Sequence, residues 1–465
     1  MKMIEKLTIN DIIKLRKENK ISQTKLAEYL SIEPAKISGL EKGKIIPTKK
    51  DLFELYNGIE LMKLEIKNKT LNISKKRITK SFKKEFKIPK IIKSADEYHE
   101  LLAKRNSLKD NEYRDSLSIL YKKMISSKRE KPNGIALFSG CGGLTAGFEA
   151  AGFNIVGHVE IEPSANLIYE SNFPHSKLLG TDVCNISDGD VNEWKKMFGD
   201  IDIIIGGPPC QGFSLAGNRN PNDARNQLYN QYAKIVNMVK PKVFVMENVF
   251  NMTTMKDADG ILFIDKIKER FYEYGYELSI NYINAKDYGV PQSRERVIIV
   301  GTLIKDNKKF DFPKKNNKII TFKEATYDLT MLESAELSDD PLHWTVSHPQ
   351  HVIEWLKDVP EGHSAHENEN PDLRPPSGFN TTYKRIRWNE PCSTISTNFS
   401  MISGCRNVHP ESTRSLTIRE ATRAQSFPDE FAFIGKWGDI RKAIGNAVPP
   451  ILAEHIAIAI KNQLI

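Results

Sequence analysis

The chain of 465 residues is long enough for two or three domains, and its 40% hydrophobic and 27% charged residues are typical of a globular protein. It has neither a run of 18 apolar residues nor an apolar core near its start, so we expect no membrane span and no signal peptide. The five cysteines are odd in number and lack metal-type spacing, which favours free thiols, a cytoplasmic location and no bound metal.

The net charge of +9 is distributed unevenly along the chain. Residues 1–130 carry 32 Lys and Arg against 18 Asp and Glu, whereas residues 131–465 carry 36 against 41. A basic excess confined to the N-terminal part indicates a polyanionic partner, most simply nucleic acid. The alternative is a solvated, lysine-rich face of the kind that an AT-rich genome encodes.

Residues 8–60 are predicted to form a compact helical unit. Apolar spacing indicates a first helix over residues 9–16, and Ser22 can cap a second helix. Pro34 suits the first position of a third helix, and Thr48 can begin a capping box for a fourth. Four short helices within so few residues indicate a small bundle with its own core.

Residues 21–30 and 37–43, followed by Pro47, resemble the phage-repressor type of helix-turn-helix. This resemblance implies a DNA-binding domain over residues 1–65, with residues 33–41 as the recognition helix in the major groove. The implied DNA contacts are Gln23 and Lys42 on phosphates, and Ala35, Lys36, Ser38 and Gly39 in the groove. The alternative is a helical module that binds another protein.

Residues 66–133 are predicted to be a basic linker and helical segment. Residues 67–93 contain 11 Lys and Arg and one acid, Glu85, which suits an arm that binds phosphates or, equally, a solvated linker. The composition of residues 95–130 indicates a charged helix. Composition alone leaves open whether this helix is a stable element or a flexible tether.

Three motifs follow at residues 135–148, 155–160 and 180–183. In the first, a strand meets a glycine-rich turn and then a helix, which lets the backbone approach a ligand closely. In the second, Glu160 ends a strand and suits two ribose hydroxyls, while Asp182 in the third can accept a hydrogen bond from the amine of adenine. An NAD-binding Rossmann unit is the alternative at this point.

Residues 203–214 place a cysteine at the end of a buried strand. The β-branched run 203–205 indicates the strand, and two prolines restrict the backbone just before Cys210. The sequence Gly-Gly-Pro-Pro-Cys-Gln-Gly-Phe-Ser resembles the nucleophile motif of DNA (cytosine-5) methyltransferases. That resemblance implies that Cys210 is the nucleophile and that Gln211 and Ser214 contact DNA. The alternative is a structural cysteine beside a proline-rich turn.

The motifs between residues 135 and 183 also resemble the S-adenosylmethionine site of this family, although Ala136 stands where the family usually has an acid. The resemblance implies an α/β fold: a Rossmann-like S-adenosylmethionine-dependent methyltransferase sheet with a small target-recognition domain, preceded by an all-α helix-turn-helix domain. The implied segments are a catalytic domain over 134–301, a recognition region over 302–412 and closing motifs over 413–465. The implied cofactor-binding residues are Phe138, Gly140, Gly142, Gly143, Glu160, Ile161, Asp182, Val183, Gly207, Pro209, Asn446 and Val448.

Two further motifs supply charged side chains. Residues 244–249 form a predicted strand that carries Glu247, and Arg294 and Arg296 precede a final strand. Spaced by two, these arginines should point the same way from an extended segment. By resemblance, Glu247 bonds the N3 atom and exocyclic amine of cytosine, and the arginines serve its carbonyl group and a nearby phosphate. The alternative for Glu247 is an ordinary salt bridge at a strand end.

The region 302–412 is polar and irregular, and in the resembling family it reads the target sequence. Lys384, Arg385 and Arg387 are predicted to contact DNA. Five histidines between positions 343 and 366 raise the alternative of a zinc site, but no Cys or acid stands at ligand spacing, so surface histidines are expected.

The resemblance implies a DNA (cytosine-5) methyltransferase of a restriction-modification system. Such an enzyme uses S-adenosylmethionine, flips a cytosine out of a short specific duplex sequence and forms a covalent adduct through Cys210. The implied partners are double-stranded DNA and operator DNA that the helix-turn-helix binds to repress a promoter. A companion restriction endonuclease is expected in the same system, without a stable complex between the two enzymes. Two rivals are a tRNA cytosine methyltransferase, disfavoured by the long region 302–410, and a non-enzymatic regulator, disfavoured by the intact Cys210, Glu247 and Arg296.

Overall fold

The computed structural model describes residues 8–30, 32–48, 51–52, 54–56, 58–59, 62–63, 88–126, 132–209, 228–256, 260–376, 378–404 and 406–465. The predicted nucleophile Cys210 and the predicted DNA contacts Gln211 and Ser214 lie outside these described residues. The chain divides into two compact units, Met1–Lys87 and Ile88–Ile465.

The first unit is a helical bundle. Its helices are α1 (Ile9–Glu18), α2 (Gln23–Leu30) and α3 (Pro34–Glu41), followed by further helical residues between positions 51 and 63. The predicted capping box is present, because Thr48 Oγ1 accepts from the Asp51 amide at 3.1 Å and Asp51 Oδ2 accepts from the Thr48 amide at 3.0 Å. The core is apolar and includes Ile12, Leu26, Ala27, Ile37, Leu40, Leu55 and Ile59. The predicted helical unit is therefore confirmed.

The second unit combines strands and helices. The strands are β1 (Asn133–Leu137), β2 (Asn154–Val159), β3 (Lys177–Gly180), β4 (Ile203–Gly206), β5 (Val243–Val249), β6 (Tyr276–Asn284), β7 (Gln292–Ser293), β8 (Glu295–Leu303) and β9 (Cys392–Ser393). The helices are α4 (Ala95–Ala103), α5 (Glu112–Ser126), α6 (Gly143–Ala150), α7 (Pro163–Asn172), α8 (Asp188–Phe198), α9 (Leu228–Val239), α10 (Phe263–Glu273), α11 (Phe322–Thr326), α12 (Gln350–Leu356), α13 (Ile418–Ala424), α14 (Trp437–Asn446) and α15 (Pro450–Leu464).

Seven strands form one mixed sheet in the order β3-β2-β1-β4-β5-β8-β6. The pairs from β3 to β5 are parallel, whereas β8 runs antiparallel to both β5 and β6. The apolar run of β4 lies at the centre, where Ile204 pairs with Ile135 on one side and Phe244 on the other. Parallel strands covered on both faces are expected to be continuously apolar, and this strand confirms the expectation.

Helices cover both faces of the sheet. Ile204 points into one core with helices α8, α9 and α10, while Ile203 and Ile205 point into the opposite core with α6 and α15. A Cβ on Gly147 would lie 2.4 Å from the Cβ of Ala453, so the absence of a side chain lets α6 and α15 pack closely. The stretch Trp437–Leu464 is long and apolar enough to cross a membrane, but 67% of its apolar window is buried in the protein, as in core helices.

Residues 88–126 form two helices that belong to the second unit. Tyr98 Oη donates to the carbonyl of Asp429 at 2.6 Å, and Arg105 Nη1 donates to both Asp340 and Asp429 at 2.8 Å. Farther along, the Asn111 amide donates to Asp328 at 2.7 Å. These bonds answer the question that composition left open, because the segment is a packed element and not a tether.

Buried ion pairs join the recognition region to the closing motifs. Arg423 bonds Asp328 at 2.6 Å and Asp429 at 2.8 Å, and Arg419 bonds Asp340 at 2.9 Å, with all of these side chains at most 4% exposed. Charges this deep are tolerated when they are paired and hydrogen-bonded. The network attaches the first part of the irregular recognition region to α13 and to Asp429 of the closing motifs.

Candidate active site

The glycine-rich turn after β1 has the backbone conformation that a close ligand contact requires. Phe138, Gly140 and Gly142 have φ values of 52°, 55° and 94°, and the last two are glycines because other residues rarely adopt this region. A Cβ on Gly142 would lie 2.4 Å from a ring atom of Phe173, whereas the space beside Gly140 is open. The turn is therefore packed on one side and accessible on the other.

Four predicted cofactor-binding residues follow the ends of four neighbouring strands. Leu137 pairs with Val159 and Gly206, and Val159 pairs with Gly180. Consequently Phe138, Glu160, Asp182 and Gly207 lie one or two positions beyond aligned strand ends: this row is the carboxyl edge, where α/β sheets bind ligands.

Glu160 stabilises the glycine-rich turn directly. Its Oε2 accepts from the Gly140 amide at 2.8 Å, and its Oε1 accepts from the Glu162 amide at 2.9 Å. Burial raises the pKa of this carboxyl group, although the backbone bonds act in the opposite direction. Each oxygen retains a lone pair, so Glu160 can also accept from a ligand hydroxyl. Spacing alone did not reveal the bond to Gly140.

The neighbouring predicted residues differ in exposure. Ile161 is 61% exposed despite its apolar side chain, and Val183 is 5% exposed. Asp182 is half-buried and accepts from the Cys184 amide at 2.9 Å.

Val448 is 8% exposed, and its carbonyl oxygen would lie 2.3 Å from a Cβ on Gly143. Two further predicted cofactor-binding residues are Pro209, which is half-buried, and Asn446, which is exposed.

Glu247 and Arg296 form an ion pair at the same edge. Arg296 Nε lies 2.8 Å from Glu247 Oε1, and the two side chains are 15% and 12% exposed. A Cβ on Gly207 would lie 3.0 Å from Glu247 Oε2, so the carboxylate lies beside the loop after β4. The Asn248 amide donates to the Pro208 carbonyl at 3.1 Å and ties that loop to the end of β5. The chain that continues into Cys210 therefore starts next to Glu247.

Arg294 does not share the position of Arg296. It is 1% exposed, and its guanidinium donates to the carbonyl oxygens of Ile395 at 3.3 Å and Gly445 at 3.1 Å. Burial, followed by the neighbouring charge of Arg296, lowers the pKa of Arg294 well below its ordinary value. This placement corrects the prediction that Arg294 bonds the substrate directly, because the side chain is buried and both of its Nη atoms donate to backbone carbonyls of the protein.

The recognition region requires a second correction. Arg385 is 2% exposed, and it donates to the carbonyl oxygens of Leu356, His409 and Ser412. Burial lowers the pKa of this guanidinium to about 10. Because the side chain is buried and both of its Nη atoms donate to backbone carbonyls, the structure contradicts the predicted DNA contact of Arg385.

Arg387, in contrast, is exposed and pairs with Glu390 at 3.2 Å. Lys384 is half-buried. Both remain candidate DNA contacts.

His343 is 1% exposed and bonds Thr417 Oγ1 and the Thr330 carbonyl, so the expectation of a surface histidine is wrong there.

In the first unit, the predicted DNA contacts on α3 also differ in exposure. Ala35 and Lys36 are exposed, Ser38 is half-buried, and Lys36 pairs with Asp51 at 2.8 Å. Gly39 is buried, and a Cβ there would lie 2.7 Å from Ile45 Cδ1. This corrects the prediction that Gly39 faces the groove, since its lack of a side chain serves packing against the next loop.

The two predicted phosphate contacts flank this helix. Lys42 is exposed, whereas the Gln23 side chain donates to Glu41 Oε2 at 2.6 Å. Glu41 also pairs with Arg16 at 2.6 Å. Burial raises the pKa of Glu41, but the bonds from Arg16 and Gln23 outweigh it and lower the pKa overall. Gln23 therefore supports α3 in the free protein.

The residue that prediction missed most clearly is Gln292. It is fully buried, and its amide bonds Gln425 Oε1, the Ala424 carbonyl and the Ile395 amide. A single glutamine before two arginines carries no periodic signal, so its partners could not be inferred from the sequence.

Comparisons with known proteins agree with this geometry. A family model described as C-5 cytosine-specific DNA methylase matches residues 132–462, and a helix-turn-helix model matches residues 12–56. The type II methyltransferase M1.HphI of Haemophilus parahaemolyticus is 36% identical over 335 residues, which cover 70% of this chain and 86% of the relative. The type II methyltransferase M.Sau96I of Staphylococcus aureus is 30% identical over 459 residues and 97% of both chains.

Solved structures show the same architecture. A prophage-encoded protein from E. coli, described as a DNA modification methyltransferase, matches with a TM-score of 0.58 and 27% identity, over 72% of this chain and 99% of that chain. The Entamoeba histolytica methyltransferase EhMeth has a TM-score of 0.51 and 16% identity over the same shares, which shows the fold alone. The sheet, the strand-end site and these matches together show that the chain belongs to the C-5 cytosine-specific DNA methylase family, as a DNA (cytosine-5) methyltransferase of the restriction-modification type with an N-terminal helix-turn-helix domain.

Proposed function

We propose that this enzyme transfers a methyl group from S-adenosylmethionine to C5 of a cytosine that is flipped out of a short specific duplex sequence, through a covalent adduct with Cys210. The observation that carries the proposal is the Glu247–Arg296 pair, which lies beside the loop that leads to Cys210. A carboxylate and a guanidinium at this distance match the polar edge of a cytosine, whose N3, exocyclic amine and carbonyl lie side by side.

The residues at the carboxyl edge fit S-adenosylmethionine. The space beside Gly140 is open, and the buried Ser139 hydroxyl has no hydrogen-bond partner among the described residues. Glu160 would accept from ribose hydroxyls, the exposed Ile161 would cover the adenine ring, and Asp182 would accept from its amine. The surrounding pocket would be formed by Phe138, Gly142, Gly143, Val183, Gly207, Pro209, Asn446 and Val448. When bound, the cofactor supplies an electrophilic methyl group.

Cys210 begins the reaction as a thiolate, because the thiol is a poor nucleophile. Its sulfur adds to C6 of cytosine and makes C5 electron-rich, while Glu247 hydrogen-bonds N3 and the exocyclic amine and relays a proton from water to N3. Arg296 stabilises the charge that grows on the carbonyl oxygen and holds Glu247 in place. After methyl transfer, a water molecule takes the C5 proton while the C6–S bond breaks and regenerates the thiolate, and N3 gives its proton back through Glu247. Because C6 is inaccessible within a duplex, the base must be flipped out.

The N-terminal unit supports a second role in the same system. Ala35, Lys36 and Lys42 are exposed on or just after α3, where a recognition helix contacts DNA. We therefore propose that this unit binds an operator and represses a promoter, such as that of its own operon. The type II names of the relatives favour a companion restriction endonuclease in the same system. A methyltransferase that must precede its endonuclease benefits from control of its dosage.

The test is expression in a host that lacks DNA cytosine methylation, followed by sequencing of the host genome at 5-methylcytosine resolution. The expected result is methylation at one short motif, which is absent with the Cys210→Ser variant. An unmethylated genome in the presence of folded, cofactor-binding protein would contradict the proposal and favour an RNA substrate or a purely regulatory role.

A further inference from the structure

A buried arginine connects the recognition region to the last turn of α14. Arg294 Nη1 donates to the carbonyl oxygen of Ile395, which follows β9, and Nη2 donates to that of Gly445, which lies just ahead of the proposed cofactor residue Asn446. A guanidinium is planar and rigid, so two carbonyl groups that it holds keep a constant separation. One side chain therefore sets the distance between a recognition segment and a cofactor segment.

Gln292 makes a parallel connection from the preceding strand. Its Oε1 accepts from the Ile395 amide at 2.8 Å, and its Nε2 donates to Gln425 Oε1 at 2.9 Å. Gln425 in turn donates to the Ile444 carbonyl at 2.6 Å. Ile395 is thus held through its amide by Gln292 and through its carbonyl by Arg294. The end of α14 is held through the carbonyls of Ile444 and Gly445.

The same two segments are also in direct contact. A Cβ on Gly445 would lie 2.3 Å from the Thr397 amide nitrogen, so no side chain fits between them. Beyond α14, the Val448 carbonyl approaches the glycine-rich turn at Gly143, where a Cβ would lie 2.3 Å away. Close-packed contacts without free volume transmit displacement. These two contacts form a continuous path from residues 395–397 through the end of α14 to the glycine-rich turn.

We propose that Arg294 is a positioning residue that couples DNA binding to cofactor binding, so that each ligand strengthens the binding of the other. This inference rests on the proposed function of the same site. The arrangement of residues 395–397 that fits bound DNA and the arrangement of residues 445–448 that fits the cofactor are selected together through Arg294. Such coupling is reciprocal by thermodynamic linkage.

The first experiment measures how tightly the full-length protein binds a duplex carrying its methylated motif, with and without saturating S-adenosylhomocysteine. The wild type should bind the duplex about fivefold more tightly, or better, with this compound present, which is the lower end of typical coupling. Gly445→Ala should reduce this gain in duplex affinity below about twofold, because the added Cβ separates α14 from Thr397. Gly438→Ala, in the same helix with nothing within 4 Å of the added atom, should keep the wild-type factor.

Arg294→Lys tests the same connection from the other side, since an ammonium group lacks the planar fork that spans two carbonyls. It should also lower the gain in duplex affinity caused by S-adenosylhomocysteine below about twofold. The affinity for S-adenosylhomocysteine alone should change by less than this gain does. A wild-type factor in both Gly445→Ala and Arg294→Lys would overturn the proposal.

A measurement on the unmodified protein avoids variants that fail to fold. S-adenosylhomocysteine alone should slow hydrogen exchange at the Ile395 amide, which Gln292 holds, but not in α12 of the same region. Unchanged exchange at Ile395 in protein that binds the compound would overturn the coupling. Protein that does not bind the compound would instead contradict the proposed cofactor, so the two failures are distinguishable.

Discussion

Arg296 Nε lies 2.8 Å from Glu247 Oε1, across the antiparallel pair of β5 and β8. The pair is mostly buried, so bulk water screens it weakly. Its position is also set by the sheet, because Val249 and Arg296 are opposed in the register that joins the two strands. A carboxylate that is oriented before the substrate arrives does not need to reorganise during the reaction.

The first prediction concerns this carboxylate. Glu247→Gln should lower the rate of methyl transfer by about 100- to 10,000-fold, because the amide cannot deliver a proton to cytosine. Binding of S-adenosylhomocysteine should stay within about twofold of the wild type, since Glu247 is proposed to contact the base. Single-turnover methylation of a duplex containing the motif measures the rate. Glu277→Gln, on the exposed side of β6, is the control, and a wild-type rate in Glu247→Gln would exclude the proposed role.

The second prediction concerns residues 88–126, which precede the segment matched by the methylase model. A chain that begins at residue 88 should fold and methylate DNA. A chain that begins at residue 132 should unfold at a lower temperature or be insoluble, because it lacks Arg105 and leaves Asp340 and Asp429 with fewer partners. Removal of one member of a buried ion pair typically costs about 3–5 kcal/mol.

Thermal unfolding of the two truncated chains, compared with the full-length protein, tests this expectation. Equal melting temperatures for the chains that begin at 88 and 132 would show that α4 and α5 contribute nothing to the stability of the methyltransferase unit. Arg105→Met in the full-length protein separates the loss of the ion pair from the loss of the helices.

The third prediction is a loss of stability in mild acid. Burial lowers the pKa of His409 to about 3 and that of His348 to about 4, whereas an unfolded histidine has a pKa of about 6.5. The unfolded chain therefore binds more protons below pH 6.5, so stability falls as the pH decreases through that value towards the folded pKa. His409 alone should lower the unfolding free energy by about 2 kcal/mol between pH 7 and pH 5.

Urea unfolding at pH 7 and pH 5 measures this difference. His409→Gln should remove the contribution of that side chain to the pH dependence, whereas His363→Gln should not, because the His363 side chain is 53% exposed. Glu420, whose carboxylate lies 3.8 Å from His409, stays ionised across this interval, because the adjacent Arg414 holds its pKa far below the ordinary value. Equal pH dependence in the two variants would contradict the assignment.

The sheet and its strand-end residues could be predicted because their signals are local. The run at Ile203–Gly206 is continuously β-branched up to its glycine, and Glu160 ends a strand next to a glycine-rich turn. The errors have a different origin. The resemblance assigns Arg294 to the substrate and its charge assigns Arg385 to DNA, but each donates to carbonyl groups of distant segments. A charged side chain does not reveal from the sequence whether its partner is a ligand or the protein's own backbone.

The segment 95–130, for which composition leaves open a stable helix or a flexible tether, illustrates the same limit. Its attachment depends on Arg105, whose partner Asp340 is 235 positions away in the chain. Periodicity describes one element at a time, so it indicates a helix but not the surface on which the helix packs. Contacts at such separations follow from the tertiary fold.

The final prediction separates the two proposed activities. Ala35 is exposed on α3, so Ala35→Glu places a negative charge where the proposed recognition helix meets DNA, without disturbing the core. Operator binding should weaken by about tenfold or more, since a repelled charge at a groove costs at least about 1.4 kcal/mol. Gel-shift assays with the sequence upstream of the enzyme's own gene measure binding, while methylation of the genomic motif should be unchanged. Asn10→Glu adds the same charge on exposed α1 and should leave operator binding intact. If deletion of residues 1–65 leaves binding to that sequence unchanged, the helix-turn-helix does not bind this operator, and the proposed repression fails while the methyltransferase activity stands.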